Sequence, residues 1–260
     1  MKLISLNAWG GHVFDPLMMF VREMAADTDI FCFQEVWSSP IERISRGSHI
    51  NLFEKLTATL TDHRPFFAPI QDGIDEEGIV DLPTTFGQVI FIRRTLSVEK
   101  EGFMFTYRNR NAMRNDNFEE LGSGFQYIKF RDTKESFMVL SVHGISRPGD
   151  KLDTPARLEQ VRSLRNFADN IAGKKVICGD FNLAPQTECV RILAEGMKNL
   201  IAEHHIETTR SRINFEKYPD DPAPQKFADY AFVSPKVNIL SFQVPNVEIS
   251  DHLPLILEFL

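Results

Sequence analysis

Short apolar runs, each closing on a polar side chain, recur along this chain of 260 residues. LISLN closes on Asn7, IFCFQE on Glu35, FMVLSVH on His143, VICGD on Asp180, and VEISDH on Asp251 and His252. KFADYAFV sets Asp229 at the start of a run instead. Continuous apolar runs bounded by turn formers predict buried strands. Packing alone gives no reason for so many of them to end on groups that bind metals, hold phosphates or move protons. In open α/β sheets such groups gather at the carboxyl ends of strands.

Between these runs the spacing turns helical. Leu17, Phe20, Val21 and Met24 predict a helix over Pro16 to Ala26, and Leu52, Phe53, Leu56 and Leu60 one over Asn51 to Leu60. Thr154 followed by Pro155 predicts a capped helix start, and Leu158, Val161, Leu164, Phe167, Ala168 and Ile171 form its buried stripe. A short helix is expected over Thr187 to Ala194, stopped at Gly196. Phe86 to Arg93 and Leu96 to Phe105 read as a hairpin, Phe125 to Phe130 and Phe137 to His143 as a further strand pair, and Leu253 to Phe259 as the closing strand. Gln71 to Asp81 is acidic and glycine-punctuated, a solvated loop; Ser211 to Gln225, with Pro219, Pro222 and Pro224, is another. His204 and His205 precede an expected strand and have no motif partners.

The length suits one large core, and nothing divides it, so a single domain over 1–260 is expected. A net charge of −7 argues against a broad basic footprint for nucleic acid, although a few local cations still grip a phosphate. Cys32, Cys178 and Cys189 show no metal-type spacing and read as reduced core residues, which fits a cytoplasmic protein. The start, MKLISLN, is too short for a signal segment, and no run is long enough to span a membrane.

VICGDFNLAP carries the densest chemistry. Gly179 stands where backbone bends or approaches something closely, and Asp180 and Asn182 leave one face in extended geometry while Phe181 packs away. Glu35, at the end of a very apolar run, needs a cation or donor to offset its burial. Asn7 precedes Gly10 and Gly11, which permit a tight turn. YRNRNAMRNDN is the one concentrated basic and polar loop; Arg108, Arg110, Arg114 and Tyr107 are either a solvated surface or a substrate grip.

The ordered set LN-x-W-G, QEVW, VHG, GDFN, ADYAF and SDH, from Asn7 to His252, resembles the endonuclease/exonuclease/phosphatase superfamily. The resemblance implies a four-layered α/β sandwich, two mixed sheets packed face to face and flanked by helices. It implies Mg²⁺, with Mn²⁺ as the alternative, at Glu35, with Asn7 and Asp251 near the ion or the phosphate. Asp180 would activate the attacking water, Asn182 orient it, and His252, held by Asp229, stabilise charge on the phosphoryl group. His143 matches the phosphate-contacting histidine of the deoxyribonuclease and sphingomyelinase branches. Several relatives carry a second acid two residues after the asparagine; here Trp9 stands there, which leaves the number of metals open.

The expected activity is metal-assisted, in-line hydrolysis of a phosphodiester, with nucleic acid as the leading substrate and no obligate protein partner. A phospholipid headgroup and a soluble phosphate ester are the alternatives, and a non-catalytic phosphate-binding relative is the reading from another class.

Overall fold

Side-chain alternation along the strands decides the layers. The computed structural model describes every residue except 133, 134, 218 and 220–223. In the strand Lys2–Asn7, Leu3 joins the core between two sheets, while Ile4 and Leu6 turn to a second core under helices. The strand Ile30–Ser38 repeats this, with Ile30 and Cys32 between the sheets and Phe31 and Phe33 under the helices. Leu17, Val21, Leu52 and Leu56 of the helices Phe14–Ala25 and Leu52–Thr59 complete that outer core. On the far side Val161, Leu164 and Ala168 of the helix Pro155–Asp169, with Val190 and Leu193 of Glu188–Ala194, cover the other sheet. The result is a four-layered α/β sandwich, as expected.

Each sheet has six strands. The first runs Ile239–Gln243, Leu255–Phe259, Lys2–Asn7, Ile30–Ser38, Thr85–Arg93, His63–Asp72; the second runs Lys198–Asn199, Asp229–Val233, Lys174–Asp180, Ser136–His143, Ser123–Arg131, Ser97–Tyr107. In both, the two middle strands are parallel and the remaining pairs antiparallel. The helices Phe14–Ala25 and Pro155–Asp169 make the crossovers that those parallel pairs require. Three carboxyl-terminal strand ends, carrying Asn7, His143 and Asp180, thereby come together with Glu35, which lies three residues before the end of Ile30–Ser38 rather than closing its strand.

Several expectations change. Thr85–Arg93 and Ser97–Tyr107 are not a hairpin, because they lie in different sheets. The first is buried on both faces and has neighbours on both edges, Ile30–Ser38 and His63–Asp72, so no edge remains for the strand that follows. His63–Asp72 is not foreseen from the pattern because Pro65 and Pro69 interrupt it; its place at the sheet edge tolerates them. The edge strand Ile239–Gln243 is likewise weakly patterned, with Leu240 exposed. Within the acidic stretch, Ile74–Asp75 and Gly78–Ile79 pair as a small ribbon. Arg212–Lys217 is a helix inside the expected proline loop, whose Pro222 lies outside the described residues. VEISDH is not a strand: Asp251 and His252 sit in the loop ahead of Leu255–Phe259. No strand follows His204 and His205; the chain passes through a loop to a single bridge between Arg210 and His252.

Candidate active site

The layer between the sheets turns from apolar to polar along the strands. Beyond Leu3 and Cys32, Gln34 donates to the Ser141 hydroxyl at 2.9 Å and Gln88 to the Ser141 carbonyl at 3.0 Å. One step further stand the charged groups. Strict alternation would turn Glu35 toward the helices with Phe31 and Phe33. Instead, the register shifts between Phe33 and Val36 and Glu35 adopts φ +53°, a left-handed conformation costly for a residue with a Cβ. The bulge swings its carboxylate into the gap between the sheets, where Asn7 donates to it at 2.9 Å and His143 Nε2 lies 3.4 Å away.

Asn7 Nδ2 also donates to Asp180 Oδ2 at 3.0 Å, and its Oδ1 accepts from the Trp9 backbone at 2.9 Å. One carboxamide thus ties together two carboxylates from different sheets. Asp180 is 1% exposed and ends the strand begun at Lys174. Gly179 before it has φ +132°, and a Cβ there would meet the Val142 carbonyl oxygen at 2.2 Å. Only a glycine lets the two parallel strands approach this closely.

Asp180 pairs in register with Asp229, and His252 sits beside both: Nδ1 is 2.8 Å from Asp229 Oδ2 and Nε2 is 3.7 Å from Asp180 Oδ2. Ser250 fixes that loop, donating to the Asn7 carbonyl at 2.7 Å and accepting from the His252 backbone at 3.2 Å. Asn182 does not continue the strand; with φ +54° it folds back, its backbone N–H donating to Asp180 Oδ1 at 2.8 Å and its Nδ2 to the Gly144 carbonyl at 3.3 Å. Asp251 accepts from Lys217 at 3.0 Å, with Arg210 Nη1 3.9 Å away.

Burial opposes charge on Glu35, yet the His143 and Asn7 bonds and the nearby imidazoles outweigh it and hold its carboxyl well below the usual range. For His143, burial pulls the pKa down, and the Glu35 bond and the charges of Glu35 and Asp180 lift it above its ordinary value. Asp180 is lowered: burial raises it, and the charges of His252, Arg210, His143 and Lys151 prevail. His252 is raised, because Asp229 and Asp180 overcome both burial and Arg210.

Glu35, His143 and Asp180 offer ligand atoms within 4.8 Å of one another, as do Asp180, Asp229 and His252. The donor set fits a hard divalent cation: two carboxylates, from Glu35 and Asp180, accept from one shared amide and face a common point beside His143 and His252. Asn7 turns its N–H groups, not its oxygen, toward that point, and Asp251 faces the cations Lys217 and Arg210.

The basic loop does not reach this centre as a group. Arg110 is paired to Asp72 at 2.8 Å, Arg108 lies 5.4 Å over the Tyr107 ring, and the Arg114 backbone donates to Glu120. Tyr107 alone of the four lines a cavity that adjoins Glu35 and His143.

Four cations that the sequence pattern did not single out for this centre surround it instead. Arg147, Lys151, Arg210 and Lys217 line one cavity with Glu35, Asp180 and His252. Arg210, 7% exposed, bonds His252 Nε2, and Lys151, 9% exposed, bonds Asn182 Oδ1 and the Ser146 carbonyl. Burial, set against the attraction of Asp180, brings Lys151 down to about 8. Arg157, 1% exposed in the helix after Thr154, donates to the carbonyls of Ile145, Pro148 and Leu152 and so braces the loop that carries Arg147 and Lys151. Trp9 stacks on His12 at 4.0 Å and holds the Lys217 ammonium 3.8 Å from its ring. Isolated Lys and Arg, in unpatterned loops or, for Lys217, at the end of a short helix, gave no signal for these roles.

No curated protein matches the chain. Solved structures share its fold: an endonuclease/exonuclease/phosphatase family protein from Leptotrichia buccalis C-1013-b is 16% identical over 100% of this chain and 99% of that one, TM-score 0.72. The mannosyl-6-phosphatase Bt3783 of Bacteroides thetaiotaomicron VPI-5482 is 15% identical over 100% and 99%, TM-score 0.66. The catalytic domain of human Nocturnin, solved with a bound sulfate anion, is 15% identical over 100% and 93%, TM-score 0.65. The family's own sequence profile extends over residues 4–252, from the first strand to the histidine that pairs with Asp229. By that span, the chain belongs to the endonuclease/exonuclease/phosphatase family.

Proposed function

We propose that this chain is a single catalytic domain over 1–260 that hydrolyses a phosphodiester with the help of Mg²⁺, or Mn²⁺ in its place. Members of its family are generally hydrolases of phosphoester bonds. The observation that carries the reading is convergence: Glu35, Asp180 and His252, far apart in sequence, line one cavity with four cations. Such a site can hold a phosphate, align a water against it and take up the charge that develops.

Glu35 and Asp180 would hold the metal, which supplies positive charge against the phosphoryl oxygens and lowers the pKa of bound water. Asp180, kept ionised, accepts the proton of the attacking water. Asn182, fixed by Lys151 and Gly144, keeps the Asp180 loop in place rather than offering a free amide. His252, its Nδ1 held by Asp229 and its Nε2 accepting from Arg210, keeps that guanidinium aimed at the phosphoryl oxygens, and His143, beside Glu35, can protonate a departing oxygen. Arg210 and Lys151 add charge on the same side.

Nucleic acid remains the first substrate to test, favoured by Tyr107 at the cavity beside His143. A compact soluble phosphate ester is the second, favoured by four cations gathered around one centre in an acidic chain. A reducing, cytoplasmic setting accords with three free buried cysteines. The deciding experiment is a hydrolysis panel with Mg²⁺ or Mn²⁺ over plasmid DNA, single strands, RNA, sphingomyelin, phosphoinositide and bis-nitrophenyl phosphate. Turnover of none of them, or turnover undiminished by excess chelator, would overturn the proposal.

A further inference from the structure

Two cavities meet at Glu35, Ser146 and Arg147. One, about 480 Å³, contains Asp180 and His252 and is rimmed by the cations described above. The other, about 460 Å³, begins at Glu35 and His143 and is built differently. Rings of Trp37, Phe86, Tyr107 and Phe118 line it, and its carboxylates beyond Glu35 are Glu76 and Glu119. Among the described lining residues its cations are His143 and Arg147, both at the end nearest the reacting centre.

We propose that this second cavity is a subsite for one ester group of the substrate, and that it takes an aromatic group bearing no negative charge. The inference rests on the phosphodiesterase reading and narrows its substrate. A flat ring entering the cavity would cover Phe118, which is 39% exposed, and stack among aromatic walls. An anionic group entering it would meet Glu76 and Glu119 and, among the described lining residues, no cation beyond the shared end. The arginine loop does not line it: Arg110 is paired with Asp72, and Arg108, 5.4 Å over the Tyr107 ring, is not among the lining residues. Phosphates therefore belong in the cavity of Lys151, Arg210 and Lys217, and a strand with phosphates running through both cavities is disfavoured. The substrate has its negative charge on one side of the bond that breaks and an uncharged or cationic ring on the other.

The chain's two tryptophans report separately, Trp9 on the cationic cavity and Trp37 on the aromatic one. The test uses nitroaryl quenching, with p-nitrophenyl methyl phosphate and its analogue carrying a ring carboxylate as probes. In a Trp9→Phe protein the nitrophenyl diester should quench Trp37 saturably and bind at least about tenfold more tightly than the carboxylated one. Glu76→Lys combined with Glu119→Lys should erase or reverse that preference. A Trp37→Phe protein, reporting through Trp9, should show much weaker quenching by the same ring. Quenching confined to Trp9, or equal affinity for both probes in the parent and the lysine variant, would overturn the proposal. Binding is read without turnover, so a protein that discriminates the probes but hydrolyses nothing refutes the activity alone, and one that hydrolyses without a Trp37 signal refutes the subsite alone.

Discussion

Asp180 and Asp229 stand directly opposite one another on antiparallel strands, both buried, with the imidazole of His252 beside them. Like charges in register repel, so the pair is tolerated because the His252 ring, to which the Arg210 guanidinium donates, lies 2.8 Å from one and 3.7 Å from the other. Asp229→Asn should therefore cost little stability while lowering kcat by about 10²-fold or more, since the ring loses its fixed tautomer and its counter-charge. Thermal melts and steady-state kinetics on the same preparation check both halves.

Asp180→Asn and His252→Ala should each reduce hydrolysis of bis-nitrophenyl phosphate by about 10²- to 10⁴-fold. Asp180→Asn should stay folded. His252→Ala should melt lower at pH 7, because it leaves two facing carboxylates without their imidazole. Full activity in either protein contradicts the proposed roles.

Divalent ions should stabilise the parent through Glu35. Adding Mg²⁺ or Mn²⁺ in excess over its dissociation constant should raise the melting temperature by mass action, and Glu35→Gln should abolish most of that rise. An unchanged response in Glu35→Gln would place the ion elsewhere.

Lys151 gives a pH signature. An amine lowered to about 8 is cationic below that pH and neutral above it, so kcat/KM should decline as pH rises past about 8. Lys151→Met should be less active and lack that decline. Stability moves the opposite way: between about 8 and the ordinary lysine value the unfolded chain binds more protons, so stability rises with pH by on the order of 3 kcal/mol, and Lys151→Met lacks the rise. Denaturant titrations across that window measure it.

Gly179→Ala should fail to fold or lose at least about 3 kcal/mol, since its Cβ would strike the Val142 backbone at 2.2 Å and its φ is +132°. Chemical denaturation tests this, and a near-neutral result would mean that the strands can separate without cost.

Apolar runs and helical stripes were enough to place most of the central strands and all four covering helices, because burial on one or both faces leaves a periodic trace. Asn7, Glu35, His143, Asp180, Asp229 and His252 were legible for a related reason: each ends or begins an apolar run, or lies in a short marker such as SDH, and the order of the markers carries the family. Pairing was legible only in part: Ser123–Arg131 and Ser136–His143 pair as expected. Thr85–Arg93 and Ser97–Tyr107 look like neighbours in sequence, yet which strand occupies an edge depends on competition among all strands of the sheet. Only the tertiary structure decided that a bulge at Glu35 turns its carboxylate between the sheets, that Asn182 folds back onto Asp180, and that Lys151, Arg210 and Lys217 supply the charge. A lone cation in a loop has no periodicity, and its role depends on which distant carboxylates the folded chain brings within a few ångströms of it.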